Sequence, residues 1–261
     1  MNLPVVSDID FTLPTIDIVQ EIKNRGIQFV SFDVFDTVLW RRPRAELARF
    51  DAAARIARQN CHSRALLTSS LTHTDFFHAR VFAHRKAYHS LGVRKQAEAN
   101  FDEVCLGMAT YLGLRPSEVI PVLREAEFTV ERSDLSLNPV IAQCIDALSL
   151  AGVRVVFLSD MYLRGDDIRD LILHCAPDWS TLAVHSSADI NHTKHRGSAF
   201  PWMFQYYTVS PNQVLHVGDN PISDVQNARK AGCLTAWTPR SAQWSARKKA
   251  SERRWSLRVS Y

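Results

Sequence analysis

A nearly continuous apolar run, Gln28-Phe29-Val30-Ser31-Phe32-Asp33-Val34-Phe35-Asp36-Thr37-Val38-Leu39, is broken near its end by two carboxylates and a threonine. A run of that kind suits a strand buried on both faces of a parallel sheet. A carboxylate at the carboxyl end of such a strand is costly unless it does something there. That end is also where open α/β sheets place their ligands. Taken alone, the stretch reads equally as a strand followed by a polar turn, so the other segments decide its meaning.

Strand and helix patterns alternate again from Asn138-Pro139, an N-cap followed by proline at the first helical position. Ile141, Cys144, Ile145 and Leu148 form the buried stripe of a helix that stops at Gly152. Strands are predicted at 153–158, 181–184, 213–217 and 233–237, with helices at about 165–174, 198–207 and 221–231 between them. Upstream, a helix is predicted from Thr15 to Asn24, closing at Gly26. Between Pro43 and Leu137 only helices are predicted. Phe50, Ala53, Ala54 and Ala57 repeat at helical spacing, as do Phe77, Val81, His84, Tyr88 and Leu91. Asn100 with Glu103 suits a helix start and Gly113 its end, and Pro116 opens the next helix. The fold class is α/β, a doubly wound parallel sheet with a helical insertion. Residues 1–40 and 138–240 form its core, 41–137 a helical cap, and 241–261 a basic tail. His84 is expected as a core residue, and Arg80, Arg85 and Lys86 as a solvated charged face in preference to contacts with a substrate anion.

Composition narrows the class. Of the 261 residues, 46% are hydrophobic and 22% charged, as in soluble globular proteins. No apolar run approaches the ~20 residues that span a bilayer. Neither a basic-flanked apolar leader nor a CxxC pair is present, and Cys61, Cys105, Cys144, Cys175 and Cys233 are scattered. These features point to reduced thiols and a cytoplasmic location. The net charge of +4 belongs to the end of the chain: from Arg240 onward seven basic residues face only Glu252. Trp244, Lys248, Ser251 and Trp255 share one face of a possible helix there, a candidate for docking on an acidic partner or membrane surface. No nucleic-acid motif accompanies it.

Four strand-end or loop positions carry complementary chemistry: Asp33, Ser159, Lys194, and Asp219 with Asp224. Phosphoryl transfer needs a carboxylate nucleophile, a hydroxyl and an ammonium for the phosphoryl oxygens, and carboxylates that bind Mg²⁺ with the nucleophile. Gly218 allows a tight turn before Asp219. Blander readings exist for each. Asp219 and Asp224 would serve as helix caps, Ser159 as a turn residue, and His192, His195 or Arg196 as the anion contact in place of Lys194. His192 and His195 with Asp189 make a less regular metal candidate. Asp8-Ile9-Asp10-Phe11-Thr12 is a second site with the spacing D-x-D-x-T, but its strand would be very short and Pro14 follows.

The order and spacing of these segments resemble the haloacid dehalogenase superfamily, most of whose members are phosphatases. Asp33 with Thr37 matches its first motif, Ser159 its second, Lys194 its third, and Gly218-Asp219 through Asp224 its fourth. The resemblance covers roughly residues 27–238 and implies a helical cap where the insertion falls. It also implies an aspartyl-phosphate on Asp33, with Ser159 and Lys194 at the transferring oxygens. Mg²⁺ would be held by Asp33, the Phe35 carbonyl, Asp219 and Asp224, and Thr37, Asp160 and Asn220 would meet a small phosphorylated substrate such as a sugar phosphate. Ser31–Thr37, Ser159–Leu163 and His216–Asn220 look like a subgroup often associated with glycosyltransferases, so a glycosyltransferase partner is a further expectation. One departure stands out. The usual second Asp, two residues after the nucleophile and the general acid–base group, is Phe35 here. Asp36 replaces it only if the chain has already turned, since i and i+3 do not share a strand face. An aromatic at this position also occurs in the superfamily's dehalogenases, which need no metal. The alternatives to a phosphatase are therefore a weakly active or ligand-binding relative and a metal-free dehalogenase.

Overall fold

The computed structural model describes residues 8–67, 70–94 and 96–259. In chain order its elements are α1 (Thr15–Asn24), β1 (Phe29–Phe32), β2 (Leu39–Arg41), α2 (Glu46–Ser63), α3 (His73–His89), α4 (Leu91–Arg94), α5 (Phe101–Leu112) and α6 (Pro116–Asp134). There follow β3 (Leu135–Leu137), α7 (Pro139–Leu150), β4 (Arg154–Ser159), α8 (Gly165–Cys175), β5 (Ala183–Ser186), α9 (Ser187–Ile190) and α10 (Ala199–Tyr207). The chain ends with β6 (Val214–Gly218), α11 (Asn227–Lys230), β7 (Leu234–Trp237) and α12 (Ala242–Val259). Two compact units result, one from the described residues up to 41 with 136–240, the other from 42–135 with those beyond 240.

The first unit is a parallel sheet in the order β5-β4-β1-β6-β7. Phe29 lies opposite Arg154 and Val214, and Phe32 opposite Phe157 and Val217. Every residue of β1 and β6 is buried, which explains why both read as mostly apolar strands. The chain crosses from β1 to β4 on one side and β6 lies on the other, so the topological switch point is at the carboxyl end of β1. Asn138 ties the returning chain to that point. Its side chain accepts from Val140 N–H at the start of α7 and donates to the Thr37 carbonyl, 2.9 Å away. On one face of the sheet Phe200 and Met203 of α10 pack against Phe29, Val156, Leu158 and Val214.

Three local readings are corrected. β5 starts at Ala183 rather than Thr181. Residues 221–226 form a π-helical turn rather than α-helix. The insertion is not purely helical, because β2 and β3 pair as a small separate sheet. Segments as short as Leu39-Trp40-Arg41 and Leu135-Ser136-Leu137 carry too little periodicity to be read as strands.

The second unit is helical. Thr72 and Asp75 form a reciprocal capping box at α3, Asn100 caps α5, and Gly113 ends α5 at φ +64°. Gly107 brings α5 close to α3, since a Cβ there would sit 3.0 Å from that of Ala83. Arg80 is the main correction. It is 1% exposed, not solvated. Its guanidinium makes two hydrogen bonds to Glu127, at 3.1 and 2.8 Å, and lies 3.7 Å over the Phe50 ring. A bidentate carboxylate plus an aromatic face offsets much of the desolvation that otherwise keeps arginine outside. Tyr88, which shares the helical repeat of Phe77, Val81 and His84, is 36% exposed. The described part of the segment after residue 240 is not a separate tail but α12, in which Ser251 Oγ accepts from Ala45 N–H at 2.9 Å and Trp255 lies 5.8 Å from the Phe77 ring. No helix among the described residues is long and apolar enough to cross a membrane.

His84 lies between the Phe50 and Tyr88 rings, at 5.1 and 4.8 Å. Burial, with Arg80 nearby, pushes its pKa down to about 4. The unfolded ring titrates near 6.5 and so takes up its proton first. Stability from this group is therefore present above pH 6.5 and lost as pH falls toward 4, by up to about 3 kcal/mol. Acid melts of His84→Leu should show a shallower loss over that window, and an unchanged slope would place the acid sensitivity elsewhere.

Candidate active site

Asp33 stands one residue beyond β1, and its N–H still bonds to the Val217 carbonyl at 2.8 Å, so the sheet fixes its backbone. Its Oδ2 accepts from Thr37 Oγ1 at 3.1 Å and its Oδ1 from Lys194 Nζ at 2.6 Å. The same ammonium donates to Asp224 Oδ1 at 2.7 Å. Lys194 is 1% exposed whereas His195 and Arg196 face solvent, so Lys194 is the cation of this loop that enters the site. Asp160 holds the loop by accepting from the N–H groups of Lys194 and His195, both at 2.8 Å. Asn227 secures its other side by donating to the carbonyls of the same two residues.

Gly218 ends β6, and Asp219 follows it, half-buried. A Cβ on Gly218 would lie 2.4 Å from the Asp224 carboxylate, so only glycine lets that carboxylate fold back onto the strand end. The π turn carries Asp224 there, and Asn220 fixes it: Asn220 N–H donates to Asp224 Oδ2 at 2.9 Å, while Asn220 Oδ1 caps Ile222 and Ser223. Asp33, Asp219 and Asp224 thereby each offer an oxygen within 4.8 Å of the others, a metal-capable group among the described residues. Ser159 is buried at the end of β4, the strand beside β1.

The three residues expected at the substrate also have partners inside the protein: Thr37 bonds to Asp33, Asp160 to the Lys194 loop, and Asn220 to its own turn. A sequence shows a polar residue in a loop but not the backbone donors that loop closure brings to it. His216 was missed altogether. It lies opposite Ser31 in the β1–β6 pairing, 2.7 Å from its hydroxyl, and its Nε2 is 3.1 Å from Asp224 Oδ1. The signal in the sequence was a single polar side chain inside an otherwise apolar strand. The Asp8 alternative is structural. Asp8 Oδ2 accepts from the backbone and hydroxyl of Thr235 at 2.8 and 3.1 Å and pairs with Arg229 at 3.0 Å. Asp189, weighed as a metal ligand with His192 and His195, accepts from Gly165 N–H at 2.6 Å.

The chain has already turned at Asp36, where φ is +68°. Asp36 Oδ1 accepts from Arg41 N–H and pairs with Arg240 Nη1, each at 3.3 Å. The Arg41 guanidinium covers the Phe35 ring at 3.8 Å and reaches Met161 Sδ at 3.5 Å. Asp36 thus holds the turn, and an aromatic ring fills the position of the usual second Asp.

The electrostatics are those of too many carboxylates. Burial pushes Asp33 up to about 7, with Lys194 pulling down and Asp224 pushing up. Burial, then the charges of Asp33, Asp224 and Asp36, takes Asp219 to about 8. Burial alone would raise Asp224, but Lys194 and His216 outweigh it and hold it below the ordinary carboxylate range. Burial opposes the charge on Lys194, yet Asp224 and Asp33 keep it well above the ordinary lysine value. One ammonium faces three clustered carboxylates, and a divalent cation with a preference for oxygen would relieve the excess. The residues present therefore fit Mg²⁺.

No family model matches the sequence, and no curated protein matches it significantly. Solved structures do match its fold. The L-2-haloacid dehalogenase of Xanthobacter autotrophicus shares 20% identity over 86% of this chain and 83% of its own, with a TM-score of 0.52. The same enzyme with chloropropionic acid covalently bound gives 19%, 86%, 83% and 0.51. A predicted phosphoglycolate phosphatase from Haemophilus somnus is more distant, at 12% identity over 81% of this chain and 85% of that one, with a TM-score of 0.44.

Proposed function

We propose that this chain, which has the haloacid dehalogenase fold, is a Mg²⁺-dependent phosphatase acting through Asp33 on a small phosphorylated metabolite such as a sugar phosphate. The observation that carries this reading is the cluster of Asp33, half-buried Asp219 and Asp224, with Lys194 bridging the two buried ones. Asp33, Asp219, the Phe35 carbonyl and, directly or through water, Asp224 would hold the ion. When bound, Mg²⁺ offsets the repulsion between the nucleophile and the phosphate dianion.

The protein's own groups do the rest. Thr37 and Lys194 orient the Asp33 carboxylate. An Asp33 oxygen attacks phosphorus as the bond to the leaving oxygen breaks, giving an aspartyl-phosphate. Water then attacks the same phosphorus, phosphate leaves, and the carboxylate returns. Lys194, and Ser159 at the end of β4, would stabilise the transferring oxygens.

Phe35 favours a second reading, a weakly active relative that binds a phosphorylated ligand or regulates a partner such as a glycosyltransferase, with the basic face of α12 as one docking surface. The assay that separates these readings measures phosphate release from p-nitrophenyl phosphate in Mg²⁺ and in EDTA, beside halide release from 2-chloropropionate. Turnover of the ester only with Mg²⁺ is expected. Halide release in EDTA without ester turnover would make the chain a dehalogenase, and neither activity would favour the ligand-binding reading.

A further inference from the structure

Ser31, His216 and Asp224 form a chain of contacts behind the site, and the reaction outlined above uses no proton from it. Ser31 and His216 are fully buried and Asp224 is 1% exposed. Asp224 Oδ1 meets both His216 Nε2, at 3.1 Å, and Lys194 Nζ, at 2.7 Å. A carboxylate oxygen only accepts, so Nε2 carries the hydrogen. In the neutral ring Nδ1 then accepts, and the Ser31 hydroxyl, 2.7 Å away, donates to it. The Phe200 ring lies edge-on to the imidazole with centroids 5.0 Å apart, so the imidazole is packed as well as bonded. Asn220 N–H holds the other Asp224 oxygen at 2.9 Å. Asp224 is thus fixed at both oxygens, on one side by a side chain that Ser31 orients.

We infer that Ser31 and His216 are positioning residues for the carboxylate centre: Ser31 anchors the ring at Nδ1, and His216 holds Asp224 where the cation and Lys194 require it. The inference rests on the Mg²⁺ reading above. Partners that orient the groups around a metal are commonly worth ~10–100-fold in affinity when removed. Packing alone makes a different demand, because an apolar side chain would fill the same space.

The test uses Mn²⁺ as a paramagnetic probe and reads its binding to the full chain by electron paramagnetic resonance. His216→Leu, which has no donor, should bind Mn²⁺ about 10–100-fold more weakly than wild type. His216→Gln, whose amide nitrogen can replace Nε2–H, should recover most of the affinity, and Ser31→Ala should fall between. Nitrogen-15 NMR of the wild-type ring should show a protonated Nε2 and a bare Nδ1. If His216→Leu fails to melt cooperatively, His216→Gln, Ser31→Ala and the NMR signature decide. Wild-type affinity in every folded variant, or a ring protonated at Nδ1 alone, would overturn the positioning role while leaving the metal centre standing. Failure of the wild type itself to bind Mn²⁺ would overturn the metal reading, and this inference with it.

Discussion

Asp33→Asn should lower turnover of a phosphate ester by ~10⁴-fold or more, the scale seen when a covalent nucleophile is removed. The amide keeps the shape of the side chain and an acceptor for Thr37, which now bonds to Oδ2. It loses the negative charge that attacks phosphorus and half of what Lys194 bridges. The variant should therefore fold and melt cooperatively while neither turning over nor trapping beryllium fluoride as an acyl-phosphate mimic. Asp8→Asn is the matched control, because Asp8 bonds to Thr235 and Arg229. It should cost about 1 kcal/mol of stability and leave turnover within a few-fold. Loss of activity in Asp8→Asn with retention in Asp33→Asn would invert the assignment of the site.

The second large effect concerns the leaving group. General acid–base assistance is commonly worth ~10²–10⁴-fold, and the position that would supply it holds Phe35. Aryl phosphates, which leave without a proton, should be cleaved better than alkyl phosphates by about that factor. Asp36 does not substitute. It sits at φ +68° with its carboxylate paired to Arg240. Asn tolerates that backbone region, so Asp36→Asn should fold and change the rate on alkyl phosphates by no more than a few-fold. A bell-shaped rate profile on an alkyl ester that loses its acidic limb in Asp36→Asn would show that Asp36 supplies the acid after all.

Much of this arrangement was legible in the sequence because it depends on buried parallel strands. β1, β4 and β6 are mostly apolar runs, and the residue of interest closes β4 (Ser159) or directly follows β1 and β6 (Asp33 and Asp219). The spacing of Asp219 and Asp224 and the glycine before them also foretold a turn, though not that the turn is π-helical. What stayed hidden depends on contacts between distant segments. His216 reads as one polar residue inside a strand until the pairing sets it against Ser31. The sequence does not show that the loops deliver backbone N–H groups to the side chains of Asp160 and Asn220. Arg80 looks solvated until Glu127 and Phe50 enclose it. The basic segment after residue 240 has the composition of a free tail, and only the contacts of Ser251 and Trp255 place it in the helical unit.

With no acid–base group at position 35, hydrolysis of the aspartyl-phosphate should be slow relative to its formation, so the adduct should accumulate during turnover. Acid-quenching the wild-type chain in the steady state with an aryl phosphate and Mg²⁺, then mapping the adduct by peptide mass spectrometry, reads this directly. A hydroxylamine-labile phosphoryl group on Asp33, absent in EDTA, is the expected result. Sustained phosphate release with no adduct on Asp33, or with the adduct on another residue, would contradict it.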